Sequence, residues 1–284
     1  MRKLFAAVSC LLLCLCLGAG ASEGAVQYRN ISVSPDGSYV DFGKTRIADL
    51  KRFYRFLDER PELKKVDLYA TPLSLKNMEA LMVQYPRIEF GCTFRFVKGT
   101  LSTNAQAYST WNHISDPMYP SARFAALKYC DSIKALDLGH NHIRELDFIA
   151  HLSDLRILIL SVCDIDDLSV IGSFEQLEYL ELFNNEIMDL SPLKNLRKLK
   201  HLNLCHNPFS DISPLLEMKQ LKRLWLSDRF LTTEQKQMLE DALPGCEIWY
   251  AWGDCTGNGW RSKGGYYPAM MKVFKSGVYA PLPD

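Results

Sequence analysis

The sequence predicts an α/β solenoid: a curved parallel sheet, short helices or 3-10 turns on its convex side, and a cap at each end. Three observations predict it. Pairs of leucines in the form L-x-L recur at a constant step. An asparagine or cysteine follows each of the first four pairs at a fixed offset, and a serine-centred turn signal follows in several of the periods. Self-similarity at a period of roughly 20–50 residues marks architectures in which each unit buries its apolar face only by stacking on its neighbours.

Leu136-Asp137-Leu138, Leu158-Ile159-Leu160, Leu180-Glu181-Leu182, Leu202-Asn203-Leu204 and Leu224-Trp225-Leu226 follow one another at a step of twenty-two residues, preceded by Ile133, Leu155, Leu177, Leu199 and Leu221. In a strand, alternate side chains point to opposite faces, so the leucines face a core and the intervening residues face out. Asn141, Cys163, Asn185 and Asn207 are expected to turn inward as a structural ladder, where an amide satisfies backbone groups of the adjoining turn. Arg229 breaks that ladder and marks the approach to the end of the stack. On the back of each unit, Asp189-Leu190-Ser191-Pro192-Leu193 and Asp211-Ile212-Ser213-Pro214-Leu215 read as a serine cap before a first-turn proline, and Asp167-Leu168-Ser169-Val170-Ile171 is the same element without proline.

These residues, Ile187-Met188-Asp189-Leu190-Ser191-Pro192-Leu193 above all, resemble the twenty-two-residue leucine-rich repeats of internalin-type and related secreted bacterial proteins. The strict match runs from Ile133 to Leu226. The resemblance implies a protein-binding module, often facing a host or the cell envelope.

The flanks are less regular. Tyr39-Val40-Asp41-Phe42, Val66-Asp67-Leu68 and Arg87-Ile88-Glu89-Phe90 read as strands. Between them, Ile47, Leu50, Phe53 and Leu57, then Leu75, Met78, Leu81 and Tyr85, fall at helical spacing, which gives longer units with true helices behind them. From Cys92 to Pro120 the period is interrupted: Phe94, Phe96 and Leu101 around Gly99 suggest a hairpin, Asn104 to Pro120 a loop, and Ser121 a cap for a short helix through Phe124 and Leu127. The insertion serves either a binding face or a seal. After Leu226, Thr232–Leu243 reads as a helix and Glu247-Ile248-Trp249 as a last strand that keeps the same step. The aromatic, turn-rich tail from Asp254 is expected to pack over the open end of the stack. The expected organisation is 1–21 export signal, 22–90 irregular repeats and cap, 91–130 insertion, 131–228 regular repeats and 229–284 C-terminal cap.

Arg2 and Lys3, the apolar run Leu4–Leu17 and Ala19-Gly20-Ala21 have the order of a secretory signal cleaved after Ala21. That predicts a secreted, extracellular or envelope protein. No segment reads as a transmembrane span. Lys plus Arg and Asp plus Glu both number 33, so no net field favours nucleic acid. Of the cysteines beyond the signal, Cys246 and Cys255 are the one close pair and a possible disulfide.

The outward strand residues define the expected site. Ile157, Ile159, Tyr179, Glu181, Phe183, His201, Asn203, Arg223 and Trp225 would lie together on the concave sheet face, and apolar and aromatic groups exposed side by side are the anchors of protein interfaces. The expectation is a protein partner held on that face, unless the hairpin or the tail folds over it. The alternative is a glycan or cell-wall binder, with Tyr179, Trp225 and Trp249 stacking on sugar rings. Enzymatic readings find little: there is no phosphate loop, G-x-S-x-G or H-E-x-x-H, His140-Asn141-His142 belongs to a turn, and adjacent Cys205 and His206 point to opposite faces. No catalytic residue, metal or cofactor is expected.

Overall fold

The computed structural model describes residues 25–113, 115–253, 256, 259–262 and 265–283. The expected export signal lies outside them. Among the described residues no helix is long and apolar enough to cross a membrane.

Two sheets share one core. The first contains β1 (Ser32–Val33), β2 (Tyr39–Asp41), β3 (Lys65–Leu73), β4 (Glu89–Arg95) and β5 (Thr100–Ser102), with α1 (Leu50–Asp58) and α2 (Leu75–Gln84) as the connections between its parallel strands. β2, β3 and β4 are parallel, while β1 and β5 add antiparallel edges. The β4–β5 hairpin turns at Gly99, whose φ of 101° lies where a side chain would be strained. Both helices start as their sequences demand. Asp49 accepts from the backbone N–H groups of Lys51 and Arg52, and Ser74 accepts from that of Asn77.

The second sheet is parallel throughout and runs in spatial order β12 (Glu247–Ala251), β11 (Arg223–Ser227), β10 (His201–Asn203), β9 (Tyr179–Glu181), β8 (Ile157–Ile159), β7 (Ala135–Asp137), β6 (Ala107–Ser109). From β7 to β11 the register follows the twenty-two-residue step: Leu136, Leu158, Leu180, Leu202 and Leu224 lie side by side. Short 3-10 turns at Asp147–Ile149, Ile171–Ser173 and Ser191–Asn195, and the four-residue α3 (Ser213–Leu216), form the backs. They pack closely, for a Cβ on Gly172 would come within 2.8 Å of Pro192 in the next unit. One apolar cluster from Val26 to Leu243 runs through both sheets.

Four features depart from the sequence reading. The second sheet begins a unit early, with β6 inside the stretch read as loop, because Tyr108 rather than leucine occupies the position beside Leu136. The last strand sets Ile248 opposite Leu224, a step two residues longer than the rest, since the ten-residue helix α4 (Thr233–Ala242) replaces a 3-10 turn. The back-turn serines are not the caps: Asp189 and Asp211 each accept both the N–H and the hydroxyl of the serine two residues on, holding the turn from one step earlier. Ser121 likewise caps nothing, and its hydroxyl accepts from the Arg144 N–H at 3.2 Å.

The fourth departure bears on function. The described residues of the tail add no strand at the open end of the stack, where β12 remains the edge strand. The tail crosses the sheet face opposite the core, and α5 (Tyr266–Ser276) reaches the far strand β6, where the Gln106 N–H donates to the Gly277 carbonyl at 3.2 Å.

Candidate functional site

The register of the parallel strands aligns two rows of outward side chains. Ala107, Ala135, Ile157, Tyr179, His201, Arg223 and Glu247 form one row, and Ser109, Asp137, Ile159, Glu181, Asn203, Trp225 and Trp249 the other. Eight of the nine residues expected to present an open binding surface, Ile157, Ile159, Tyr179, Glu181, His201, Asn203, Arg223 and Trp225, are buried, and Phe183 is half-buried. The expectation of an exposed face is thus corrected. The rows carry apolar and aromatic groups because they form a second core with the C-terminal segment, which adds Trp260, Met270, Val273 and Phe274. Sugar stacking on Tyr179 and Trp225 is blocked in this state by the same burial, whereas Trp249 is 41% exposed.

Trp260 is the centre of the contact. Its ring lies 5.1 Å from that of Tyr179 and 5.2 Å from that of Trp225, and its indole N–H donates to Glu181 at 2.7 Å. Glu181 also accepts from the Ser161 hydroxyl at 2.7 Å and the Tyr179 hydroxyl at 2.8 Å, and pairs with Arg261. Burial alone would raise the Glu181 carboxyl. The Arg261 charge and these hydrogen bonds outweigh it and hold the group below the ordinary carboxylate range. One acidic residue in the sheet thereby gathers two consecutive residues of the tail.

Arg223 holds the same segment by its backbone, donating to the carbonyls of Gly259 at 3.1 Å and Trp260 at 2.9 Å. Its guanidinium also lies over the rings of Trp225, Trp260 and Tyr266 at 4.7, 4.7 and 4.9 Å. His201 packs against Tyr266 with ring centroids 4.3 Å apart, and burial followed by the charge of Arg223 depresses it to about 3, so the imidazole is neutral.

The ladder positions lie on the opposite side of the strands. Asn185 donates to the carbonyls of Leu160 and Leu182 and accepts from the Ile165 N–H, and Asn207 makes the matching set with Leu182, Leu204 and Ile187. Asn141 donates to Leu138 and accepts from the Tyr119 N–H, while Cys163 reaches the Leu138 carbonyl at 3.5 Å. Of the possible disulfide pair, Cys246 is half-buried, with its thiol pushed up to about 12 by burial, and Cys255 lies outside the described residues.

Sequence reasoning missed Trp260, Arg261 and Tyr266 as partners of the sheet face. A signal was present: Met270, Val273 and Phe274 fall at helical spacing between Gly265 and Gly277, both with positive φ, which frames an amphipathic helix in need of an apolar surface.

A family model described as leucine-rich repeats, two copies, matches residues 175–217, the stretch that contains β9 and β10 with their backs. The fold is a leucine-rich-repeat solenoid. No curated protein matches the chain. Among solved structures, internalin C2 from Listeria monocytogenes is 19% identical with a TM-score of 0.37, covering 67% of this chain and 81% of its own. A second internalin of that species is 15% identical with a TM-score of 0.38, covering 74% of this chain and 46% of its own. A leucine-rich-repeat protein of Leptospira interrogans is 24% identical with a TM-score of 0.46, over 70% of this chain and 51% of its own. This chain therefore spans about half the length of the last two.

Proposed function

We propose that this protein is an exported, non-enzymatic binding module, that its recognition surface is the sheet face running from Ile157 to Trp225, and that its own C-terminal segment occupies that face until a protein partner replaces it. The observation that carries the reading is the imperfect fit of the internal occupant. Beneath and within the contact, Arg223 Nη1, His201 Nδ1, Trp225 Nε1 and Arg261 Nε are buried without a hydrogen-bond partner. Left unpaired, such atoms cost the closed state about 1–3 kcal/mol each, which leaves room for a better-matched occupant. An extended partner segment with an aromatic anchor and polar groups at the three sheet positions would make the same stacking contacts and pair those atoms, while Arg261 returns to water with the displaced tail. Export is supported by the basic, apolar and small-residue order of residues 1–21.

The test is capture of secreted or surface proteins by three forms: wild type, the double variant Trp260→Ala with Arg261→Ala, and Glu181→Gln with Arg223→Gln. Loosening the segment should increase capture about tenfold, altering the face should abolish it, and a synthetic peptide of residues 256–279 should compete. Equal capture by all three forms, with no effect of the peptide, would place recognition on another surface.

A further inference from the structure

Between the sheet face and α5, beside the part of the face that Trp260 covers, lies a cavity of about 200 Å³. Its floor includes Asp137, and its walls include Trp111, Tyr267, Met271 and Phe274, with Arg261 at one side. We propose that this cavity is a binding site for a small organic ammonium ion, with Asp137 as its counter-ion.

Asp137 accepts the Ser109 hydroxyl at 2.7 Å and the Gly139 N–H at 3.0 Å. Both donors are neutral, and together they fill about half of the lone-pair sites a carboxylate offers. The surrounding protein strips water from the group, and that burial together with the Glu181 charge pushes its carboxyl up. Asp137 nevertheless keeps accessible surface, as a group on a cavity floor does. The Arg261 charge acts in the opposite sense, but it is already paired with Glu181, and the Asp137 carboxyl stays raised. His140, at the same cavity, is held below its ordinary range by burial and by Arg261, so it adds no positive charge near neutral pH. With both acids ionised, Asp137 and Glu181 set two carboxylates against the one guanidinium of Arg261.

The walls select the kind of cation. Trp111 and Phe274 stand edge to face, 6.4 Å apart and inclined at 82°, which makes an aromatic corner. Aromatic faces with one carboxylate attract alkylated ammonium groups. They offer few of the oxygen ligands that calcium or magnesium requires. An anion would meet Asp137. Trp111 is also held at φ 51°, an uncommon backbone state for a bulky residue, with its N–H donating to the Ser109 hydroxyl that in turn binds Asp137.

The site exists with the C-terminal segment in place, so its test is independent of any protein partner. Calorimetric titration of the purified protein with choline and with n-butylammonium is compared with the neutral isosteres 3,3-dimethylbutan-1-ol and n-butanol. Expected is saturable binding of at least one ammonium ion, about tenfold or more tighter than its isostere, and a loss of at least tenfold in Asp137→Asn and in Trp111→Ala. Asp137→Asn keeps one acceptor oxygen for the Gly139 N–H, and its amide N–H can donate to the Ser109 hydroxyl in place of the second contact. If it unfolds, wild-type selectivity for cation over isostere decides. Absence of saturable binding in the millimolar range, equal response to cation and isostere, or unchanged affinity in a folded Asp137→Asn protein would overturn the proposal.

Discussion

Val162 sits at φ 56°, in the left-handed region that a β-branched residue rarely adopts. His140, Asn184 and His206 occupy the same region, each one residue before a ladder position, so the repeat itself imposes the conformation and Val162 bears it least well. Val162→Asn should raise the unfolding free energy by about 1 kcal/mol, read from the urea midpoint. His201 gives a pH prediction. Its ordinary value is 6.5 and in the folded protein it is about 3, so between those values the unfolded chain takes up a proton that the native chain refuses. Stability is then full above pH 6.5 and falls on acidification by up to about 1.4 kcal/mol per pH unit. Thermal midpoints measured from pH 7 to 5 should decline, and less so in His201→Gln. The depressed Glu181 carboxyl acts in the same direction at lower pH, below its ordinary 4.5. At this scale the inward residues were legible because each repeats a pattern. The turn chemistry was less so, since Asp-x-Ser can be read with either residue as the cap and only the geometry separates them.

The C-terminal segment is the element on which the account turns. Trp260 is fully buried between two aromatic rings of the sheet, and its replacement by alanine should destabilise the protein by about 3–5 kcal/mol if the gap does not collapse. Equilibrium denaturation measures this, and dye binding to the uncovered face should rise in parallel. The strands β7 to β11 were legible from spacing alone, since a period-two pattern inside a longer period has one satisfactory folding. The position of the tail was not. A sequence records that Ile157, Tyr179 and Trp225 face away from the core, but not what lies against them, because a partner in another protein and a segment of the same chain more than thirty residues away satisfy the same apolar surface.

In the whole molecule, stacked units alone would couple only to their neighbours and fray from the ends. The tail changes that connectivity. It leaves from β12 at one side of the parallel sheet, spans a width of about 30 Å for seven strands, and is held to β6 at the other side through Gln106, Gly277 and Tyr279. Wild-type unfolding should therefore be a single transition that coincides by different probes, while the Trp260→Ala, Arg261→Ala protein should separate into more than one. The continuous core from Val26 to Leu243 could be anticipated from the alternation of strands and backs; the second core was legible only as one of two alternatives, because apolar outward residues fit a foreign partner as well as a fold-over of the tail.

The most direct test of the central claim, that the tail occupies the repeat face, is photo-crosslinking from position 260. With Trp260 replaced by a benzophenone amino acid and the adducts mapped by mass spectrometry, crosslinks should fall on the peptides that carry Tyr179, Glu181 and Trp225. Adducts confined to the neighbouring chain around Trp249 to Gly253, with none on β9 or β11, would contradict it.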